Sequence, residues 1–195
     1  MPGRIVKSLL ILIGPLLTRY MPLLCVLPGL LFAADDTERY RVTLQSADGS
    51  RVYPIARLQL DKDGRGYRVL MNDELFNDYF LSMRPFKCMT DNTDMLCHLP
   101  YPYALERSID DRDLTALEHE FLFIRRHPTD YGIDPWNGLY YKLKRTADGF
   151  IGQAYEVDLN VLAAPPDGND LPLTEAEMTE GDADLLWLPR LVIAR

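Results

Sequence analysis

Three histidines and three cysteines are all that this 195-residue chain has to offer a transition metal. A structural zinc site takes about four ligands and usually contains a tight C-x(2–4)-C pair, which is missing. The haem-attachment pattern C-x-x-C-H is missing too. Glu118-His119-Glu120 has the start of a zinc helix, but H-E-x-x-H needs histidine at position 123, which is Phe123. His119 and His127 lie about 80° apart around a helix, and Pro128 breaks the second position. "DKDGRG", from Asp61 to Gly66, opens like a calcium loop. Arg65 then stands where an oxygen ligand belongs and Asn72 where a bidentate Glu belongs, so the segment reads as a hairpin turn. Nucleophile-elbow, P-loop and dinucleotide fingerprints are also missing. No metal and no cofactor is expected.

Positive charge is scarce as well. Lys and Arg number 21 against 29 Asp and Glu, a net charge of −8. Nucleic acid is bound through Lys and Arg on its phosphates, so this balance argues against a nucleic-acid partner. It argues equally against a general binder of anionic membrane surfaces.

The positive charge at the N-terminus is followed by an apolar run. Arg4 and Lys7 precede a mostly apolar stretch from Leu9 to Phe32, which ends in Ala33-Ala34 before Asp35-Asp36. Positive head, apolar middle and small residues at the exit are the marks of a secretory signal peptide. The expectation is a leader over 1–34, cleaved near Ala34, and export to the periplasm or the medium. The leader is long and Arg19 interrupts it; a start at Met21 would shorten it but would remove the positive head. The alternative is an uncleaved N-terminal anchor, which needs about 20 apolar residues in a row. Arg19 makes that costly, and Pro15, Pro22 and Pro28 make a straight helix awkward. Cys25 follows Pro22, Leu23 and Leu24, whereas lipid attachment wants a small residue just before the cysteine.

Cleavage near Ala34 removes Cys25 and three basic residues. What remains is a single domain over 35–195, carrying a charge of about −11 and two cysteines, Cys88 and Cys97. That length is enough for one real core. An even cysteine count in an oxidising compartment points to a disulfide. "FLSMRPFKC" and "MLCHLPYPY" are β-compatible arms around the turn residues Thr90, Asp91, Asn92, Thr93 and Asp94. Closing so short a loop is worth on the order of 2.7 kcal/mol in the chain-entropy picture.

The rest of the domain is punctuated by Asp-Gly. Period-two runs flank Asp48-Gly49, Asp63-Gly64 and Asp148-Gly149, each a hairpin signal. A last strand is expected within Leu185 to Ile193, with Pro189 placing it at an edge or bulge. "AAPPDGND", from Ala163 to Asp170, reads as a loop, and "LTEAEMTE" as a short helix capped by Thr174. The fold class is therefore mainly β (α+β): an antiparallel sheet, sandwich or barrel built from hairpins. One amphipathic helix is expected at about 110–126. Ser108 and Asp110 suit its cap, Leu114, Leu117, Phe121 and Ile124 share one stripe, and Pro128 ends it. Leu122 and Phe123 fall off that stripe, which leaves "EFLFIRR" open to a strand reading.

The segment "RRHPTDYGIDPWNGLYYK" joins this helix to the next strand. It carries Arg125, Arg126, Tyr131, Trp136, Asn137, Tyr140 and Tyr141 among Pro and Gly residues that fix its path. Aromatic rings with nearby amides and guanidinium groups can grip a sugar, a peptide or a protein. The more ordinary reading is that Trp136 and one or two tyrosines plug the end of the sheet core. "HLPYPYALER" poses the same choice at Tyr101 and Tyr103.

Composition and motifs together favour a non-catalytic envelope module for a protein, peptide or glycan. The alternative is a small exported hydrolase using dispersed Asp, Glu or His residues. A deep pocket holding two carboxylates, or a carboxylate with His98, His119 or His127, would favour the enzyme. An exposed aromatic patch would favour the binder.

Overall fold

Asp-Gly turns and alternating apolar residues organise the chain into one curled antiparallel sheet, a half-barrel rather than a sandwich of two sheets. The structure, a computed structural model, describes residues 37–80, 86–91, 93–164 and 171–195. The expected leader over 1–34 and most of the expected loop from Ala163 to Asp170 lie outside those residues. The described strands are β1 (Glu38–Gln45), β2 (Val52–Leu60), β3 (Tyr67–Met71), β4 (Asp78–Phe80), β5 (Phe86–Thr90) and β6 (Met95–His98). They continue with β7 (Phe123–Arg126), β8 (Gly138–Thr146), β9 (Gly149–Val157), β10 (Met178–Glu180) and β11 (Arg190–Ala194).

Spatial order follows chain order in two runs, β3-β2-β1 and β9-β8-β7-β6-β5-β4, and β11 joins them by pairing with both β1 and β9. The short β10 continues the same edge of β9, opposite Tyr155 to Val157. Three hairpins form where Asp-Gly predicts them. Gly49 and Gly64 take φ of +71° and +67°, a conformation that a side chain disfavours. The expected last strand begins only after Pro189 and is central, not at an edge. Proline lacks the N–H that a central ladder needs, so the strand starts one residue beyond it.

The expected helix over 110–126 is shorter than predicted. Residues 110–114 are not helical, and Leu114 rather than Ser108 or Asp110 stands at the cap; one α-helical turn, α1 (Thr115–Glu118), runs into a 3₁₀ turn over His119–Phe121, and Phe123–Arg126 form β7. The physical reason lies in the two faces of β7. Phe123 packs into the main core, while Ile124 packs into a second cluster on the opposite face. A strand buried on both sides reads as a continuous apolar run, as a helix end can. Thr174 does cap a short helix, a 3₁₀ turn over Glu175–Glu177 with a reciprocal capping box.

The main core fills the concave side with alternate residues from nearly every strand, including Val42, Leu44, Leu58, Phe123, Tyr141, Phe150 and Leu191. The second cluster covers one end of the outer face. Tyr140 and Val157 on the sheet meet Leu159, Leu162 and Leu173 from the segments that follow β9. Beyond that cluster the outer face of β8 and β9 lies open. Among the described residues no helix is long and apolar enough to cross a membrane.

Candidate functional site

Cys88 and Cys97 stand directly opposite each other in the β5–β6 ladder and are joined as a disulfide. The turn between them is closed by Asp91, whose side chain accepts hydrogen bonds from the N–H groups of Thr93 and Asp94. This hairpin is stapled at its middle, and both sulfurs are buried.

The aromatic loop before β8 is braced differently, by polar contacts. The Arg126 guanidinium donates to the Asp130 carbonyl. The Asp130 carboxylate accepts from the His127 N–H at 2.7 Å, and the Asp130 N–H donates back to the His127 carbonyl at 3.0 Å. Asp134 then caps a 3₁₀ turn over Pro135–Asn137 by accepting from the Trp136 N–H. Gly138 completes the path into β8. A Cβ there would meet the Val157 carbonyl oxygen at 2.4 Å, so only glycine lets the strand approach. Ile133 anchors the loop by packing against the outer cluster.

This bracing turns two rings outward. Tyr131 is fully exposed and Trp136 is 69% exposed, so neither plugs the core. Ile133, which carried no weight in the sequence reading, occupies the inward position instead. Asn137 is exposed beside Trp136. The other residues of the expected surface are not on it. Tyr140 is only 2% exposed and belongs to the outer cluster, because it already lies in β8 with its side chain turned toward Leu122 and Val157. Arg126 is buried, held by Asp130. Arg125 is half-buried, 3.6 Å from Glu156 and 3.5 Å from the Leu185 carbonyl oxygen. The surface thus reduces to Tyr131, Trp136 and Asn137, with Arg125 tied at its margin. Leu185 is exposed next to Arg125, whereas Leu186, Trp187 and Leu188, which follow it in the run expected as the last strand, are buried. Tyr101 and Tyr103 are half-buried and pack edge to face, and Tyr103 donates to the Leu162 carbonyl.

The acids and histidines that a hydrolase would use are dispersed. Glu118 is buried, and its carboxylate accepts from the Tyr140 hydroxyl and, at 2.6 Å, from the Leu143 N–H. Burial pushes this carboxyl above the usual range, against the lowering effect of those two bonds. The contact has a structural cause. β7 pairs with β8 only as far as Leu139, and the carboxylate takes the place of the missing strand at Leu143. His119 is sealed in the core, with Nδ1 2.7 Å from the Thr115 carbonyl oxygen and its ring edge-on to Tyr101 and Tyr140. Burial lowers its pKa and that of His98, so both imidazoles are neutral at neutral pH. His98 sits against Phe76 and Phe123, whereas His127 is exposed on the aromatic loop. Among the described residues no three His, Cys, Asp or Glu side chains converge as metal ligands. No protein-family model, no characterised protein and no solved structure matches this chain.

Proposed function

We propose that this is an exported cell-envelope protein that acts as a non-catalytic binding module, with Tyr131, Trp136 and Asn137 as its contact surface for a protein, peptide or glycan. The observation that carries the proposal is the exposure of Trp136 on a loop that is braced at both ends. A large ring left in water forgoes burial worth about 1.5–3 kcal/mol. A braced loop presents it with little ordering left to lose on binding, which favours affinity. The Cys88–Cys97 bond supports folding in an oxidising compartment, and the leader over 1–34 supplies the route, to the periplasm or the medium.

Two measurements test the two halves. Intact mass of protein recovered from the envelope should show loss of the leader near Ala34; full-length chain in the soluble cytoplasm would overturn export, and full-length chain in membranes would identify an anchor. Capture of partners from envelope extract should fall by more than about 1 kcal/mol in apparent affinity for Trp136→Ala. Capture unchanged by Trp136→Ala and by Tyr131→Ala would overturn the binding surface.

A further inference from the structure

The aromatic loop is not the only built surface. We propose that the outer face of β8, β9 and β11 carries a separate binding site for a compact oxyanion, a small molecule bearing phosphate or carboxylate groups, with Lys144 and Arg190 as its principal contacts.

The register places the cations together. Arg190 of β11 lies opposite Gln153 of β9, which lies opposite Lys142 of β8, so these three side chains form a row across three strands. Lys144 follows two residues along on the same face, opposite Ile151. Neighbouring strands lie about 4.8 Å apart and alternate residues about 6.8 Å apart, within reach of Lys and Arg side chains converging on one anion. They line a depression of about 310 Å³ together with Tyr155 and Glu180. That volume is at the small end for ligand sites and suits a compact molecule.

Charge makes the arrangement unusual for this protein. The chain is net acidic at −8, yet three cations meet here. Cations grouped on one sheet face repel one another, a cost that a bound anion relieves. Neither Lys144 nor Arg190 forms an ion pair among the described residues. Lys142 pairs with Glu175, but that glutamate side chain is 82% exposed, and an ion pair so open to water is weak and exchangeable. Glu180, on β10 at the rim, is the carboxylate that an incoming anion would have to tolerate. Gln153 and the Tyr155 hydroxyl add neutral donors, and the exposed Ile151 gives the floor an apolar flank. The positions sit on central strands of the sheet, so the cations are displayed on a rigid frame.

The test is a titration of the isotopically labelled protein with inorganic pyrophosphate and, separately, with citrate, against sodium chloride at matched ionic strength. The expected result is saturable amide shifts confined to residues 142–144, 151–155 and 190 for at least one of the two anions. Which anion saturates distinguishes phosphate from carboxylate chemistry. Lys144→Gln combined with Arg190→Gln should weaken binding about tenfold or more, since two ionic contacts are lost. Glu180→Gln should tighten it by about threefold, because a competing negative charge is removed. All of these positions are exposed, and an unchanged melt will show that the fold is kept. Should the double variant fail to fold, Lys144→Gln alone and Glu180→Gln still decide. Shifts that follow ionic strength without saturating, or binding indifferent to these substitutions, would overturn the site.

Discussion

Residues 127–137 and β8, which follows them, carry the same kinds of side chain to opposite ends. Tyr131 and Trp136 stand in water, while Tyr140 and Tyr141, a few positions later, are buried on opposite faces of the sheet. Tyr131 carries the same ring as Tyr140 and Tyr141. The difference lies in what directs them. Inside β8, alternation sends Tyr141 into the main core and Tyr140 into the outer cluster, and each hydroxyl finds a partner: the Leu188 carbonyl at 2.8 Å for Tyr141 and Glu118 for Tyr140. In the loop, carboxylates and turns hold the backbone, and Ile133 takes the single inward position. Aromatic content alone therefore says nothing about whether a ring stabilises or recognises; the backbone state at that residue decides.

The contrast can be broken by substitution, and the strand side should respond most. Tyr141→Ala removes a fully buried ring and should cost about 3–5 kcal/mol in denaturant unfolding. A loss below about 1 kcal/mol would mean that the main core does not close around that ring. Tyr140→Phe keeps the ring but takes a donor from a buried carboxylate, and should cost about 1–3 kcal/mol. If Tyr140→Phe is neutral, the hydroxyl is not the partner that holds Glu118.

Stability should also respond to pH through Glu118. Burial, with a smaller push from Asp113, raises the Glu118 carboxyl above its ordinary value of 4.5, while Tyr140, Leu143 and Lys142 pull the other way. The folded chain thus holds this proton more tightly than the unfolded chain. That contribution is complete below the unfolded pKa and is lost as pH rises through the raised folded value. Glu118→Gln removes the titration, so the stability of the native protein relative to this variant should decline as pH rises above 4.5. Urea midpoints of both proteins across that range check it; a flat difference would show that the carboxyl is not raised. The smallest effect is expected in the loop. Trp136→Ala should change unfolding free energy by no more than about 0.5 kcal/mol, as an exposed substitution does. A larger loss would return Trp136 to a structural role.

Local chemistry was readable in the sequence, and long-range placement was not. Asp-Gly flanked by alternating residues marked three hairpins because the turn and its arms are neighbours in the chain. The Cys88–Cys97 pairing was legible for the same reason. The helix expected over 110–126 is only 115–121 in the fold, and its far end differs because Leu122, Phe123 and Ile124 are apolar for two separate environments that only the folded sheet creates. The central position of β11 had no local signal; its partners Thr43 and Ile151 are distant in sequence. The same gap hid the cationic depression. Lys142 and Lys144 alternate visibly in "YYKLKR", but Arg190 joins them only through the pairing of β11 with β9. The exposure of Trp136 was undecidable without knowing that Ile133 fills the inward position.

The way β11 joins the two runs of strands also bears on time. β1 and β9 cannot be linked until residues 190–194 have been made, and one contact across that seam, from Thr43 to Val192, spans 149 positions. Local hairpins can form early, but the seam must wait, and the entropy of closing so large a loop is met before any of its contacts help. Folding of this domain should therefore be slow for its size, on the scale of milliseconds to seconds, as in β-sheet proteins dominated by distant pairings. Until then the facing edges of β1 and β9 are bare ladders, ready to pair with another chain. The interval before the seam closes is when this protein is most exposed to aggregation.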